Sequence, residues 1–338
     1  EKGLSLSESY HWLTNWIGTD NNKASTDQIV SLIGTGMSSD QLTLEADRAL
    51  KNCDIIIGAK RMLEMAEHYH KPTFCSYNYP AITDYMLSHP EYRHFAVLFS
   101  GDIGFYSGAA GLRRCLEGKP FKIESFSGIS SPIHFLNTIG KTWSDVHLIS
   151  CHGQTASIIS HVRCHPKTLA LLGKPEDVSN ISRKLMDYGL SNVRIYIGAD
   201  LKQPDEQIVS GNPADFLHRT FSALSLLYIE NPNAEPLPVT YGLPDDAFIR
   251  GKVPMTKSEI RSIVLSKLKL TKNAILFDIG AGTGSIAIEA ARQIPDGRVY
   301  AIERNPDGLD LIKENSLKLQ ADNLTIVSGT APECLDTL

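Results

Sequence analysis

Two stretches of the chain combine glycines with residues able to hold a polar ligand, and each follows an apolar run of strand length. In the first, Gly34, Thr35, Gly36 and Met37 follow residues 29–33. In the second, Asp278 is followed shortly by Gly280, Ala281, Gly282, Thr283 and Gly284. Glycine lets a backbone turn tightly and come close to a ligand with no Cβ in the way, so turns of this kind at strand ends present amide donors. Nineteen residues beyond Gly284, Glu303 closes the next apolar run. A carboxylate there can accept hydrogen bonds from both ribose hydroxyls of an adenosine. The spacing is G-x-G-x-G, with Ser285 where the dinucleotide pattern carries its third glycine. That favours S-adenosyl-L-methionine over a nicotinamide dinucleotide, with a plain tight turn as the bland alternative.

Further candidates lie between these loops. Residues 97–100, ending in Ser100, run into Gly101, Asp102, Ile103, Gly104, Phe105 and Tyr106, and another turn follows at Gly128, Ile129 and Ser130. Asp102 has two readings, as part of a ligand pocket or as a carboxylate that caps its own turn. His152 follows residues 146–150, where substrate contact and strand-end capping are both open. Arg250 and Lys252 are either anion contacts or a solvated charged loop. The pairs Cys151, His152 and Cys164, His165 carry residue types that zinc prefers, but their spacing matches no standard site and no metal is expected.

The elements that would position these residues read as α/β layering. Strands are expected at residues 29–33, 54–58, 94–100, 121–125, 146–150, 168–172 and 192–198, and helices at 43–51, 107–116, 132–139 and 175–188. Strands that alternate with helices predict largely parallel sheets. Lys119 and Pro120 suggest a lobe boundary, dividing residues 28–117 from 118–230. Pro232, Pro236 and Pro238 make 231–240 an extended linker. Beyond it, Thr256 and Glu259 form a T-x-x-E pattern that predicts a capping box, with Ile260, Ile263, Val264 and Leu268 on one helix face. Residues 274–279, 285–293 and 298–302 then read as a βαβ unit.

Composition restricts the classes of function. A chain of 338 residues with 42% hydrophobic and 21% charged residues has material for two or three cores. Its net charge of -5 argues against nucleic acid as a partner. No apolar run approaches the roughly 20 residues that span a bilayer. Residues 1–27 form an arm without a signal-peptide pattern, which predicts a cytoplasmic protein. The six cysteines show no C-x-x-C pair, so reduced thiols are expected.

The stretch GLPDDAFIRGKVPMTKSEIR from Gly242, followed by DIGAGTGSIAIEAA and AIERN, resembles the decarboxylating precorrin methyltransferases. The G-x-G, S-G-D and G-I-S turns, with Leu172 and the run from Gly198, resemble the tetrapyrrole methylase family over residues 28–230. Met37 and Ser38 stand where that family has Pro-Gly, and Ile103 stands where it has a proline. The resemblance implies a two-lobed tetrapyrrole methylase unit followed by a Rossmann-like class I methyltransferase domain from residue 241. S-adenosyl-L-methionine would lie between the two lobes. Cofactor contacts would come from Gly36, Met37, Ser100, Gly101, Asp102, Phe105, Ser130 and Leu172, and in the later domain from Thr256, Gly280 to Gly284, Glu303 and Ala331. Arg250, Lys252 and His152 would face a polyanionic tetrapyrrole. Methylation at C-5, and at C-15 with loss of the ring C acetate carboxyl, would follow in cobalamin synthesis by a homo-oligomer. The domain at 241–338 is expected to be partial, with exposed apolar faces and one tight cofactor site per chain, in the first unit. A degenerate binding module and an NAD-dependent oxidoreductase are the alternatives.

Overall fold

The computed structural model describes residues 28–151, 157–237 and 241–337. They divide into two compact units, one ending at Ser131 and one beginning at Pro132.

The first unit is built on β1 (Gln28–Gly34), β2 (Ile55–Gly58), β3 (Thr73–Cys75), β4 (His94–Phe99) and β5 (Phe121–Phe126). All pairings are parallel, in the order β3-β2-β4-β1-β5. Its central strands are buried on both faces, which is why they read as largely apolar runs, broken in β1 by the buried Ser31. Leu32, Ile57 and Val97 pack on one side with Leu112 and Leu116 of α4 (Ala109–Leu116) and with Met86 of α3 (Tyr79–Ser88). Ile33, Ile56 and Leu98 pack on the other with Ala46 and Leu50 of α1 (Leu44–Asn52) and Met62 of α2 (Lys60–Met65). Each of the larger of these side chains contributes about 1.5–3 kcal/mol by leaving water. The expected boundary near Pro120 is displaced. β5 hydrogen-bonds to β1 along its length, and a strand cannot leave its sheet without orphaning those amides.

The second unit contains two sheets. One has the order β6-β7-β10-β8-β9, formed by β6 (His147–Ser150), β7 (Lys167–Leu171), β8 (Arg194–Ala199), β9 (Gln207–Gly211) and β10 (Ser225–Glu230). Only β6 and β7 run parallel; the β7-β10, β10-β8 and β8-β9 pairs are antiparallel. The expectation of largely parallel sheets fails in this sheet because β10 inserts antiparallel between β7 and β8, and β9 returns antiparallel along β8. Its helices are α5 (Ser131–Thr138), α6 (Ile158–Cys164) and α7 (Asp177–Asp187). The other sheet is parallel, β11-β12-β13, from β11 (Ile275–Ile279), β12 (Arg298–Glu303) and β13 (Leu324–Ser328). α8 (Ser258–Leu268), α9 (Ser285–Gln293) and α10 (Pro306–Lys318) accompany it. One face of β11 exposes Ile275, Phe277 and Ile279.

These two parts of the second unit are joined by specific polar contacts. The Asp322 carboxylate, in the turn before β13, accepts from the amides of Ile159 and Ser160 at 3.2 Å each and from the hydroxyls of Ser157 and Ser160. It thereby caps the N-terminus of α6 from another domain. Arg163 donates to the Arg292 carbonyl, and the Gln320 amide to the Tyr188 carbonyl. No helix among the described residues is long and apolar enough to cross a membrane.

Candidate functional site

Parallel order brings the ends of β4, β1 and β5 side by side, and the three N-terminal glycine turns meet there. Gly36 and Gly101 form an antiparallel bridge, each amide donating to the other's carbonyl, at 3.1 and 2.8 Å. Both have positive φ, +67° and +70°. A Cβ on Gly34 would lie 2.7 Å from the Gly101 carbonyl oxygen, and one on Gly128 only 2.3 Å from the same atom. Glycine is therefore required by the approach of backbone to backbone. Asp102 ties two of the turns, accepting from Gly104 at 2.8 Å and from Gly128 at 3.1 Å. That is the turn-capping role extended across to the neighbouring loop. Met37, after the first turn, donates its amide to Gln41 at 3.0 Å.

The sequence-predicted residues are thus partly gathered. Gly36, Met37, Ser100, Gly101, Asp102, Phe105 and Ser130 lie at this one end of the first sheet. Ser130 is buried; Ser100 is exposed and accepts from Arg61 at 3.2 Å. Leu172 belongs to the second unit, buried just past β7, with its amide on the Ser225 carbonyl. His152 lies outside the described residues.

The C-terminal loop has a different construction. Gly280, Gly282 and Gly284 all have positive φ, at +77°, +58° and +75°. The amides of Gly280 and Ala281 share the Ile302 carbonyl at 2.9 and 3.0 Å. Asp278 accepts from Ala287 at 3.1 Å in the first turn of α9, and burial pushes its carboxyl above the ordinary range. Glu303, at the end of β12, accepts from the amides of Gly282, Arg304 and Asn305, all at 2.8 Å. Burial works to raise this carboxyl, but the three amides prevail and hold it below its ordinary value. The Thr283 hydroxyl is buried without a hydrogen-bond partner among the described residues. Ala331 follows in the turn after β13.

Residues 249–256 cross this loop. A Cβ on Gly282 would meet the Pro254 carbonyl at 3.2 Å. Asn315, wholly buried on α10, accepts from the Ile249 amide at 2.6 Å and donates to its carbonyl at 3.1 Å. Arg261 is also wholly buried. It bonds Glu289 at 2.9 Å, Asp245 at 3.1 Å, the Thr256 carbonyl at 2.6 Å and the Leu243 carbonyl, while its guanidinium lies over Phe248. Thr256 therefore serves through its carbonyl and closes no capping box. α8 begins after Lys257, and Asp245 accepts from the Ser258 amide at 3.0 Å instead. The expected apolar face is corrected too: Ile260, Ile263 and Leu268 are exposed, while Arg261 and Leu265 are buried. The Arg261 knot and Asn315 escape sequence reasoning because charged and amide side chains read as solvent-facing. The acidic pair Asp245, Asp246 ahead of an arginine was the available signal. Arg250 and Lys252 are exposed.

The sequence model of the tetrapyrrole (corrin/porphyrin) methylases matches residues 30–216, more than half of the chain. The chain belongs to the tetrapyrrole methylases. Behind the methylase segment, the model of a precorrin methyltransferase domain matches residues 246–338. This methylase resembles a probable cobalt-precorrin-6B C(15)-methyltransferase (decarboxylating) of Sulfurisphaera tokodaii, 47% identical over 97 residues, which are 28% of this chain and 50% of that protein. The cobalt-precorrin-6B C(15)-methyltransferase (decarboxylating) of Salmonella typhimurium is 51% identical over 89 residues, 26% of this chain and 46% of that one. The chain thus spans about half the length of the curated relatives it matches. Among solved structures, the methyltransferase CobJ superposes with a TM-score of 0.51 at 17% identity, covering 61% of this methylase and 95% of that chain, a likeness of fold.

Proposed function

We propose that the chain methylates a corrin precursor with S-adenosylmethionine. The methylase unit would act at C-5, and the later domain at C-15, where the ring C acetate carboxyl leaves as carbon dioxide. The observation that carries this reading is the succession, in one chain, of a tetrapyrrole methylase segment and a precorrin methyltransferase segment, each with a glycine turn at the ends of parallel strands.

The residues present fit the cofactor. A Cβ on Gly280 would meet no protein atom within 4 Å, so the loop leaves open space there, and the Thr283 hydroxyl is a buried polar atom without a partner among the described residues. When bound, the cofactor supplies an electrophilic methyl group on a sulfonium. The chain's contribution is to position the reactants and exclude water. Glu303 would hold the ribose. A carboxylate has about four acceptor directions, and three are already used by amides, so there is room for one hydroxyl, not the two expected from sequence. Arg250 and Lys252, exposed in the segment that crosses the glycine loop, would pair with acetate and propionate arms of the substrate. Asp102 acts through the turns it ties and is a positioning residue.

Mass spectrometry of purified precorrins incubated with the protein and S-adenosylmethionine tests the proposal. One added methyl group is expected from the methylase unit. A second methyl group with loss of carbon dioxide would extend it to the later domain. No mass change on any tetrapyrrole, with S-adenosylhomocysteine still bound tightly, would overturn the substrate assignment, and binding of NADH in its place would favour the oxidoreductase.

A further inference from the structure

Three histidines outside both glycine loops are brought together in the second unit. His147 opens β6, His161 lies on α6, and His165 follows the last turn of that helix, four residues on. One ring nitrogen from each lies within 4.8 Å of the others. We propose that His147, His161 and His165 form a binding site for a divalent transition-metal ion of the zinc class.

The hydrogen bonds around the rings orient them for ligation. His165 Nδ1 lies 2.9 Å from the His161 carbonyl, which can only accept, so Nδ1 carries the proton and Nε2 carries the free lone pair. His161 Nε2 faces the Asp296 carboxylate at 3.5 Å, and its Nδ1 faces His147 Nε2 at 3.0 Å. A carboxylate behind one nitrogen of a metal-binding imidazole is a common means of fixing its tautomer and raising its basicity. His161 is buried and the other two rings are half-buried. Burial, followed by the neighbouring imidazoles, pushes His147 down to about 4, and burial also lowers His161. A metal takes imidazole in its neutral form, through a ring nitrogen that carries a lone pair.

The distances require little movement. Tetrahedral zinc with nitrogen ligands near 2.0–2.1 Å needs donor atoms about 3.3 Å apart. The His147–His161 pair is already there, and His165 must approach by about 1.5 Å at most. The His147 and His165 rings are stacked, with centroids 3.8 Å apart and planes 7° from parallel. One ring must tilt for its lone pair to converge with the other. Metal also displaces the hydrogen bond between His147 and His161, moving the His147 proton to Nδ1. Three imidazoles with water in the fourth position suit zinc and its borderline neighbours better than hard cations. The sequence reading weighed Cys164 and His165 for zinc beside Cys151 and His152. The structure pairs His165 with histidines from a strand start and a helix, which no local spacing could disclose.

The test uses the full chain without an affinity tag, first freed of metal by a chelator. Titration of Zn²⁺ against a chromogenic competitor should show one site per chain with micromolar or tighter affinity. Co²⁺ in the same site should give the intense visible absorption of a four- or five-coordinate ion. His147→Gln should weaken binding at least tenfold, and His147→Gln with His165→Gln should abolish it. Absence of saturable Zn²⁺ binding, a weak six-coordinate Co²⁺ spectrum, or a strong thiolate-to-cobalt band would overturn the proposal. So would undiminished affinity in the double variant. The Co²⁺ spectrum of the unmodified chain decides the matter even if that variant fails to fold.

Discussion

The two glycine loops of this methylase are built for closeness in different ways. At the end of β1 the approach is backbone to backbone: Gly36 and Gly101 exchange hydrogen bonds, and Gly34 and Gly128 crowd the Gly101 carbonyl. At the end of β11 the loop is held by side chains, with Glu303 on Gly282, Asp278 on α9, and the crossing segment pinned by Arg261 and Asn315. Backbone pairing tolerates side-chain replacement but no added Cβ. Side-chain pinning has the opposite sensitivity, since losing one buried charge leaves its partners unsatisfied.

The sharpest break should come at Arg261. Arg261→Ala leaves the buried Glu289 carboxylate with the Gly242 and Leu243 amides but without its cation, and the C-terminal domain should lose about 3–5 kcal/mol. Urea unfolding combined with hydrogen exchange would locate that loss in residues 242–293 while β1, β4 and β5 keep their protection. Loss spread equally over both units would deny that the two loops are independently supported.

A smaller effect is expected at Asp102. Asp102→Ala frees the amides of Gly104 and Gly128 and should weaken cofactor binding by about 1–3 kcal/mol. Calorimetry with S-adenosylhomocysteine measures it, and an unchanged affinity would show that the Gly36–Gly101 bridge holds the turns alone.

The smallest effect concerns pH. Glu303 titrates below its ordinary value of 4.5 in the folded chain, so the folded state binds its proton less readily than the unfolded one. Its contribution is complete above about pH 4.5 and is lost as pH falls through the lower folded value. Thermal unfolding of Glu303→Gln against the parent should show a gap at pH 7 that closes in acid. A gap that widens in acid would reverse the assigned sign.

How much of this was legible in the sequence follows the same division. Most of the first sheet was readable because β1, β2 and β4 are largely apolar and each ends in glycine or a polar turn, whereas β3, three residues long, was missed. β10 was missed, since the run at residues 226–229 is too short to tell strand from helix by periodicity, and β9 is a polar edge. Without them, an antiparallel half-sheet could not be foreseen. The glycine spacing and Glu303 disclosed the second loop, but not that backbone amides occupy most of the carboxylate. The T-x-x-E pattern misled because Asp245, distant in sequence, reaches the helix start first.

Both glycine loops are proposed to bind S-adenosylmethionine, the first more tightly, since the second lies beside an exposed face of β11. Isothermal titration of S-adenosylhomocysteine into the chain and into Gly128→Ala tests it most directly. The parent should show one tight site per chain, and Gly128→Ala should weaken that site at least tenfold, since its Cβ must push the Gly34 and Gly101 turns apart. Equal tight binding by the variant, with its fold intact by circular dichroism, or two equally tight sites in the parent, would contradict the account.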